Sequence, residues 1–402
     1  MRFLFFTVFI DLIGFGMIIP ILPFMAPKLG ATNFDIALII VIYSVCAGLV
    51  GTLWGKLSDK IGRKPVIIFC LLITCISYIL MANAESLAMV YFARILAGSV
   101  AGIYGVASAM VADLSTPENR AKSMGLIGAA FGLGMVVGPF MGGVLAGDDI
   151  NFFVPCMVAA ALSASASIFA LFFLKESHTN DKRAAAKQWQ EDNGKTSTYK
   201  ILAKSGNRWL VSQFLFHSVV ISIVSYLFPL WMGAILDWGP KEIGIVFGIQ
   251  GLAMAAMQAK VVGILTKRFG EIQVLTGAIA LLSCGFLLAT LSSTQVLMIA
   301  SFFLTITGAS MCTPVMNSLI SQRTQLEYRG RIMGAASAMG AWGRVVGPII
   351  AGALLSLGGF SIAWAIGVLV GLLYIAWPIN ELKNNHLTPA IASNSDKAES
   401  EL

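Results

Sequence analysis

The chain has 402 residues, of which 57% are hydrophobic and only 12% charged, with a formal net charge of +7. Soluble domains average roughly 45–50% apolar and about 25% charged residues, so this composition excludes an ordinary soluble globular protein and indicates one built inside a lipid bilayer. The positive charge would fit a nucleic-acid partner only if the basic residues formed one soluble patch; they are scattered among short loops, and no nucleic-acid partner is expected.

A helix crosses the hydrocarbon core with about 20 apolar residues, and such runs fall at roughly 3–25, 36–55, 65–83, 87–111, 123–146, 152–174, 209–235, 243–265, 272–291, 296–318, 333–356 and 361–380. They predict an all-α integral membrane protein with about twelve transmembrane helices. A membrane β-barrel would show alternation over segments of about ten residues, and that pattern is absent. The first run contains "FIDLIGFGMIIPILP", Phe9 to Pro23, in which Asp11 is an acid placed in a segment that must dissolve in lipid. Its length, its two prolines, Asp11 itself and the lack of a small-residue cleavage site argue against a signal peptide.

Between the second and third runs lies "GKLSDKIGRK", Gly55 to Lys64. Gly55 and Gly62 permit close approach or a positive φ, Asp59 is suited to face a helix N-terminus, and Arg63 is suited to pair with a neighbouring acid. The preceding "GTLWGK" superficially resembles a phosphate-binding loop, but its spacing is one residue short and Leu57 follows the lysine, so no nucleotide site is expected. The cysteines, Cys46, Cys70, Cys75, Cys156, Cys284 and Cys312, all fall inside apolar runs without a C-x-x-C or Cys/His pattern. Neither a metal site nor a disulfide framework is expected.

The one long connection runs from Lys175 to Arg208 and reads as a flexible linker, within which "KRAAAKQWQ" is the one stretch suited to an amphipathic surface helix. The expected organisation is a six-helix bundle over 1–174, a linker over 175–208, a second six-helix bundle over 209–381 and a disordered tail over 382–402. Lys56, Lys60, Arg63, Lys64, Arg120, Lys122, Lys267, Arg268, Arg323, Arg329 and Arg331 gather in connections on one side. The other side offers only Lys28 and Lys241, beside Asp35, Glu85, Asp148, Asp149, Asp237 and Glu242. Basic loops stay in the cytoplasm, which puts both termini and the linker there.

The two halves repeat. "RAKSMGLIGAAFGLGMVVGPFMGG" from Arg120 aligns with "RGRIMGAASAMGAWGRVVGPIIAG" from Arg329, matching Gly134 to Gly343, Val136-Val137-Gly138-Pro139 to Val345-Val346-Gly347-Pro348, and Gly143 to Gly352. One residue out of step, "GKLSDKIG" at Gly55 aligns with "GILTKRFG" at Gly263, which puts Lys267 opposite Asp59 and Glu271 opposite Arg63. Parallel repeats of this kind are a transporter architecture with the site between the halves.

These motifs carry a resemblance. The Gly55–Lys64 turn resembles the loop signature of the major facilitator superfamily, "RILAGSVAG" at Arg94 its proton-coupled fourth-helix signature, and "GMVVGPFMGG" at Gly134 its fifth-helix antiporter signature. "DLIGFGMIIPILP" at Asp11 resembles the first helix of its twelve-helix drug:proton antiporters, the group that includes the tetracycline exporters. The resemblance implies the major facilitator fold, with Gly55, Asp59, Gly62, Arg63, Lys64 and Asp113 as a cytoplasmic gate in which Asp59, Arg63 and Asp113 form a charge relay. It also implies that Gly134, Gly138, Pro139, Gly142 and Gly143 let the fifth helix bend and pack closely against its partner from the other half.

Ionisable groups inside a membrane are costly and usually functional; by position they are Asp11, Arg94, Lys260 and Arg344. Lys260 lies near a helix end, where it either snorkels to the interface or faces the cavity. Asp11 and Arg94, on helices adjacent in the resembled fold, are read as the proton-coupling pair. Desolvation disfavours the charged carboxylate and the guanidinium favours it, so a cavity that alternates between wet and occluded ties protonation to conformation. The structural alternative is an Asp11–Arg94 ion pair that never titrates. A proton crossing 100 mV supplies about 2.3 kcal/mol, enough for roughly a fifty-fold gradient of a neutral solute.

Candidate substrate-binding residues are Arg344, Trp342, Gln213, His217, Gln250 and Asn317; helix-packing hydrogen bonds account for the last four about as well. The expected function is export of small organic molecules in exchange for protons, by alternating access, in a bacterial-type inner membrane. The partners would be a small-molecule substrate, protons and the lipid bilayer; the protein would be a monomer with no cofactor beyond the proton gradient. The alternatives are a dedicated exporter of an anionic metabolite such as a carboxylate siderophore, for which Arg344 speaks, and proton-coupled uptake, against which the fifth-helix signature speaks. No nucleophile–His–acid set supports an enzyme.

Overall fold

The computed structural model describes residues 2–115, 120–147, 151–177, 207–292, 294–324 and 326–385. The surface helix expected at "KRAAAKQWQ" and the tail beyond residue 385 lie outside the described residues.

Helices α1 (Arg2–Ile18) and α2 (Leu22–Lys28) form one broken crossing, bent by 47°. The break falls around Pro20, which lacks an N–H and disfavours helix in the residue before it. Helix α3 (Asn33–Ile61) opens on a capping box, in which Thr32 Oγ1 accepts from the Asp35 backbone N–H and Asp35 Oδ2 accepts from the Thr32 N–H. Gly62, at φ 112°, ends α3 and starts α4 (Arg63–Ala82). The fourth crossing is split into α5 (Leu87–Ser99) and α6 (Ile103–Leu114), and Trp54 Nε1 donates to the Ser99 carbonyl freed by the break at 2.6 Å. Helices α7 (Arg120–Ala146) and α8 (Phe153–Phe173) complete the first half.

The second half begins with α9 (Arg208–Leu236), which Asp237 terminates in the left-handed conformation at φ 56°. The next crossing is α10 (Pro240–Ala256), a π-helical turn over Met257–Val261, and α11 (Val262–Phe269). Gly270, at φ 85°, then turns the chain into α12 (Glu271–Leu291), at the position the repeat assigns to Gly62. Helix α13 (Gln295–Arg323) follows, and α14 (Leu326–Asn385) is a hairpin of two crossings hinged at Gly358 and Gly359, whose backbones are non-helical. Its second arm continues to Asn385, past the start of the segment read as tail.

Seven described helices are individually long and apolar enough to span a bilayer, eight with the bent α1–α2 pair. Dividing α14 at its hinge and joining the pieces of the broken crossings is consistent with twelve. The chain is a multi-pass, all-helical membrane protein.

The apolar core shows how the halves meet. One cluster combines both halves, with Met17, Ile21, Met25 and Ile36 beside Tyr226, Phe228, Trp231 and Ile243. A second cluster belongs to the first half alone (Leu4, Val8, Val66, Ile67, Met110) and a third to the second half alone (Leu210, Val211, Ile272, Met316, Ile320). The shared cluster lies toward the end that carries Asp35, Lys241 and Glu242; the separate ones lie toward the end that carries Lys56, Arg63, Lys267 and Arg268. Among the described residues, the halves share one apolar core at the first, acidic end and keep separate cores at the second, basic end.

Candidate functional site

Between the halves a cleft opens toward the basic end. On the four helices that border it, Gly51 and Gly55 of α3, Gly132 of α7, Gly263 of α11 and Gly334 of α14 have no atom within 4 Å of where a Cβ would stand. At the acidic end the halves are in close contact. Gly143 of α7 meets Gly244 of α10 at 2.7 Å from a would-be Cβ to Cα, and Gly352 of α14 meets Ala37 of α3 at 2.8 Å. The Tyr226 hydroxyl also donates across the halves to the Asn33 carbonyl.

Asp11 lies inside the first half. Leu12 and Gly16 are turned to α7 and Gly14 to α4 and α8, while Phe15 stacks on Tyr43 of α3 at 5.4 Å. The 100° step of the helix therefore leaves Asp11 between the α4 and α3 directions. Its Oδ1 is buried with no hydrogen-bond partner. Arg94 is buried, stacks its guanidinium over the Tyr43 ring at 4.8 Å and leaves Nε unpartnered. No ion pair joins Asp11 to Arg94 among the described residues; Tyr43 stands within electrostatic reach of both.

Arg344 comes from the other half. On the first arm of α14, Gly343 and Gly347 pack on α9 and Ala341 faces Gly48 of α3, so Arg344 projects between α9 and α3 into the cleft. It is exposed, and no hydrogen bond or ion pair reaches it among the described residues. It too lies within electrostatic reach of Tyr43. Trp342, two residues earlier, is about 200° around the helix and 55% exposed; the structure does not bring it to the Arg344 face.

The remaining polar candidates divide. His217 Nε2 and Thr313 Oγ1 share a hydrogen bond at 2.9 Å, leaving His217 Nδ1 buried and unpartnered. One turn toward the basic end, Gln213 donates to the Trp209 carbonyl and keeps a buried Oε1 without a partner. Because α9 and α13 run antiparallel, Asn317, one turn from Thr313, falls at the level of Gln213. Gln250 of α10 is buried with both amide atoms unpartnered. Lys260 is exposed in the π-helical turn.

At the basic end the turn closes around Arg63. Its guanidinium pairs with Asp59 Oδ1 at 2.6 Å and Asp113 Oδ2 at 3.1 Å, and it donates to Ser58 Oγ. Two residues missed in the sequence complete the cluster. Glu176 accepts from the backbone N–H groups of Arg63 and Lys64 at 3.0 and 3.1 Å, an anion on the N-terminus of α4, and Ser177 donates to Asp113. Lys64 Nζ donates to the Leu171 carbonyl. These bonds of the relay join residues of the first half. Gly62 supplies the positive φ and Gly55 sits in open space, so of the two only Gly62 is needed locally. In the second half, Glu271 at the start of α12 accepts from Ser318 and Gln322 of α13.

The glycines of α7 have two partners. Gly134, Gly138 and Gly142 lie against Leu12, Ile13, Gly16 and Met17 of α1, in their own half; Gly143 faces α10 of the other half, where the Pro139 carbonyl meets Gly244. Cross-half packing therefore falls on Val136, Pro139, Phe140 and Gly143, which meet Gly251, Gly244 and Gly248 of α10, while Gly134, Gly138 and Gly142 pack within their own half. The repeat is faithful in space, since Gly343 and Gly347 pack on α9 and Gly352 on α3.

Two repeated helical bundles joined at one end, with an exposed arginine in the cleft between them and a buried carboxylate beside it, define a membrane transport protein. The chain belongs to the Major Facilitator Superfamily, whose model matches residues 4–261 and again 213–396. It is 28% identical over 369 residues to the class C tetracycline resistance protein of Escherichia coli, covering 90% of this chain and 91% of that one. It is 26% identical over 360 residues to multidrug resistance protein 2 of Bacillus subtilis, covering 87% of each. Among solved structures, the human organic anion transporter TETRAN shares the fold with a TM-score of 0.71 at 23% identity, over 93% of this chain and 97% of that one. The nucleoside transporter NupG shares it at 0.76 and 14%, over 94% and 98%.

Proposed function

We propose that this protein exports small organic molecules in exchange for protons, by alternating access, from the cytoplasm across a bacterial-type inner membrane, as a monomer with both termini inside. The names of its relatives support a drug-like cargo. The observation that carries proton exchange is Asp11, a carboxylate within the membrane with a buried, unpartnered oxygen, near a cleft open at one end. An ionised carboxylate held there without a partner is costly, so closing the cleft over it favours a bound proton and opening it to water favours release. The basic end is then cytoplasmic, and the cleft faces inward.

In proteoliposomes with an acidic lumen, solute uptake into inside-out protein should follow the pH gradient in the wild type and lose that dependence in Asp11→Asn. A folded Asp11→Asn protein that still answers to the gradient would overturn the assignment. A second reading, a dedicated exporter of one anionic metabolite such as a carboxylate siderophore, is favoured by the exposed, unpaired Arg344.

A further inference from the structure

Arg344 projects into the cleft from the second half, while Asp11 and Arg94 lie buried beside it in the first half, and among the described residues neither guanidinium is ion-paired to Asp11. Charge arithmetic then constrains the cargo of a proton exchanger. A purely anionic solute on Arg344 would repel ionised Asp11 and so favour its protonation, and solute and proton would bind together. That is the linkage of co-transport. A purely cationic solute would compete with the proton at Asp11 but would enter beside an accessible, uncompensated Arg344. A solute with both charges satisfies both constraints.

We propose that the exchanged solute is a zwitterion, its carboxylate docked on Arg344 and its protonated amine taking the place of the proton at Asp11. This rests on the exchange reading above. Tyr43 of α3 stacks on Arg94 and on Phe15 of the Asp11 helix, and the same α3 meets the Arg344 helix through Gly48 and Ala341, so one helix adjoins both anchor points. The two anchors lie on opposite bundles, so a solute that bridges them responds to the rocking of the halves. When the amine arrives, the proton on the Asp11 carboxyl passes to water in the open cleft; no other bond changes.

Three compounds on one scaffold test this. Norfloxacin is a zwitterion near neutral pH; its ethyl ester keeps the ammonium and loses the carboxylate; its N-acetyl derivative keeps the carboxylate and loses the ammonium. Binding to purified protein, followed by fluorescence, and proton release, followed by an indicator dye in weak buffer, are measured for wild type, Arg344→Gln and Arg344→Lys.

Norfloxacin should bind the wild type best and release protons. Arg344→Gln should weaken norfloxacin about tenfold more than it weakens the ester, the worth of a charge-assisted hydrogen-bonded pair, and Arg344→Lys should recover part of the loss. The N-acetyl compound should bind without releasing protons. Equal weakening of norfloxacin and ester by Arg344→Gln, a wild-type preference for the ester, or no binding of norfloxacin would overturn the proposal. Arg344-dependent binding of norfloxacin without proton release would instead sink the exchange reading and leave the carboxylate anchor standing.

Discussion

Arg63 is buried and bonds Asp59, Asp113 and Ser58. Breaking a buried ion pair costs about 3–5 kcal/mol, so Arg63→Ala, which removes the bonds to Asp59, Asp113 and Ser58 together, should lower the melting temperature in detergent substantially. Asp59 shares Arg63 but is 56% exposed, and Asp59→Asn should cost about 1 kcal/mol or less in stability while altering transport. Glu176→Ala leaves two backbone N–H groups of α4 without their acceptor, a loss of about 1–2 kcal/mol by analogy with helix caps, measurable in the same melts; an unchanged melting point would remove Glu176 from the cluster. The pairing of Arg63 with Asp59 and Asp113 was expected through the family resemblance, since Asp59 shares the turn with Arg63 whereas Asp113 ends the fourth crossing. Glu176 was not, because it follows the sixth apolar run, where the polar linker begins, and only the packed bundle returns it to α4.

On α7, glycine is required where backbones touch and dispensable where they do not. A Cβ on Gly138 would stand 2.6 Å from the Ile13 carbonyl oxygen, so Gly138→Ala must push α1 and α7 apart, at about 1–3 kcal/mol for overpacking. Gly132, with open space around it, should gain about 0.5–1 kcal/mol of stability as Ala. Equal melting shifts of one sign for both would contradict this packing. The repeated glycines announced close approach but not the neighbour approached; choosing between α1 and α10 needs the bundle, because both flank α7. The same limit explains Trp342, adjacent in sequence to the cleft-facing residues yet on the opposite side of its helix. The breaks were easier to read, since Pro20 removes a donor whatever its surroundings.

For the molecule as a whole, the joined acidic end and parted basic end describe one of the two states that the proposed exchange requires. Tyr226 bonds across the halves at the closed end; Tyr226→Phe should raise thiol-reagent access from that side to a cysteine placed at Ala37, and unchanged access would show the glycine contacts alone hold the end shut. Hydropathy and the internal repeat were enough to expect twelve crossings and two bundles. Which end is shut was illegible, because hydropathy and the repeat are the same for either arrangement of the two bundles. The claim on which everything depends is that the proton on Asp11 sets the balance between the two states. Spin labels at Leu57 on α3 and Ile264 on α11, in a background cleared of native cysteines, report the opening of the basic end by electron–electron distance measurement across a pH series. The wild type should shift between two distance populations as pH changes, and Asp11→Asn should hold one population throughout; a titration that survives in Asp11→Asn, or none in the wild type, would contradict the account.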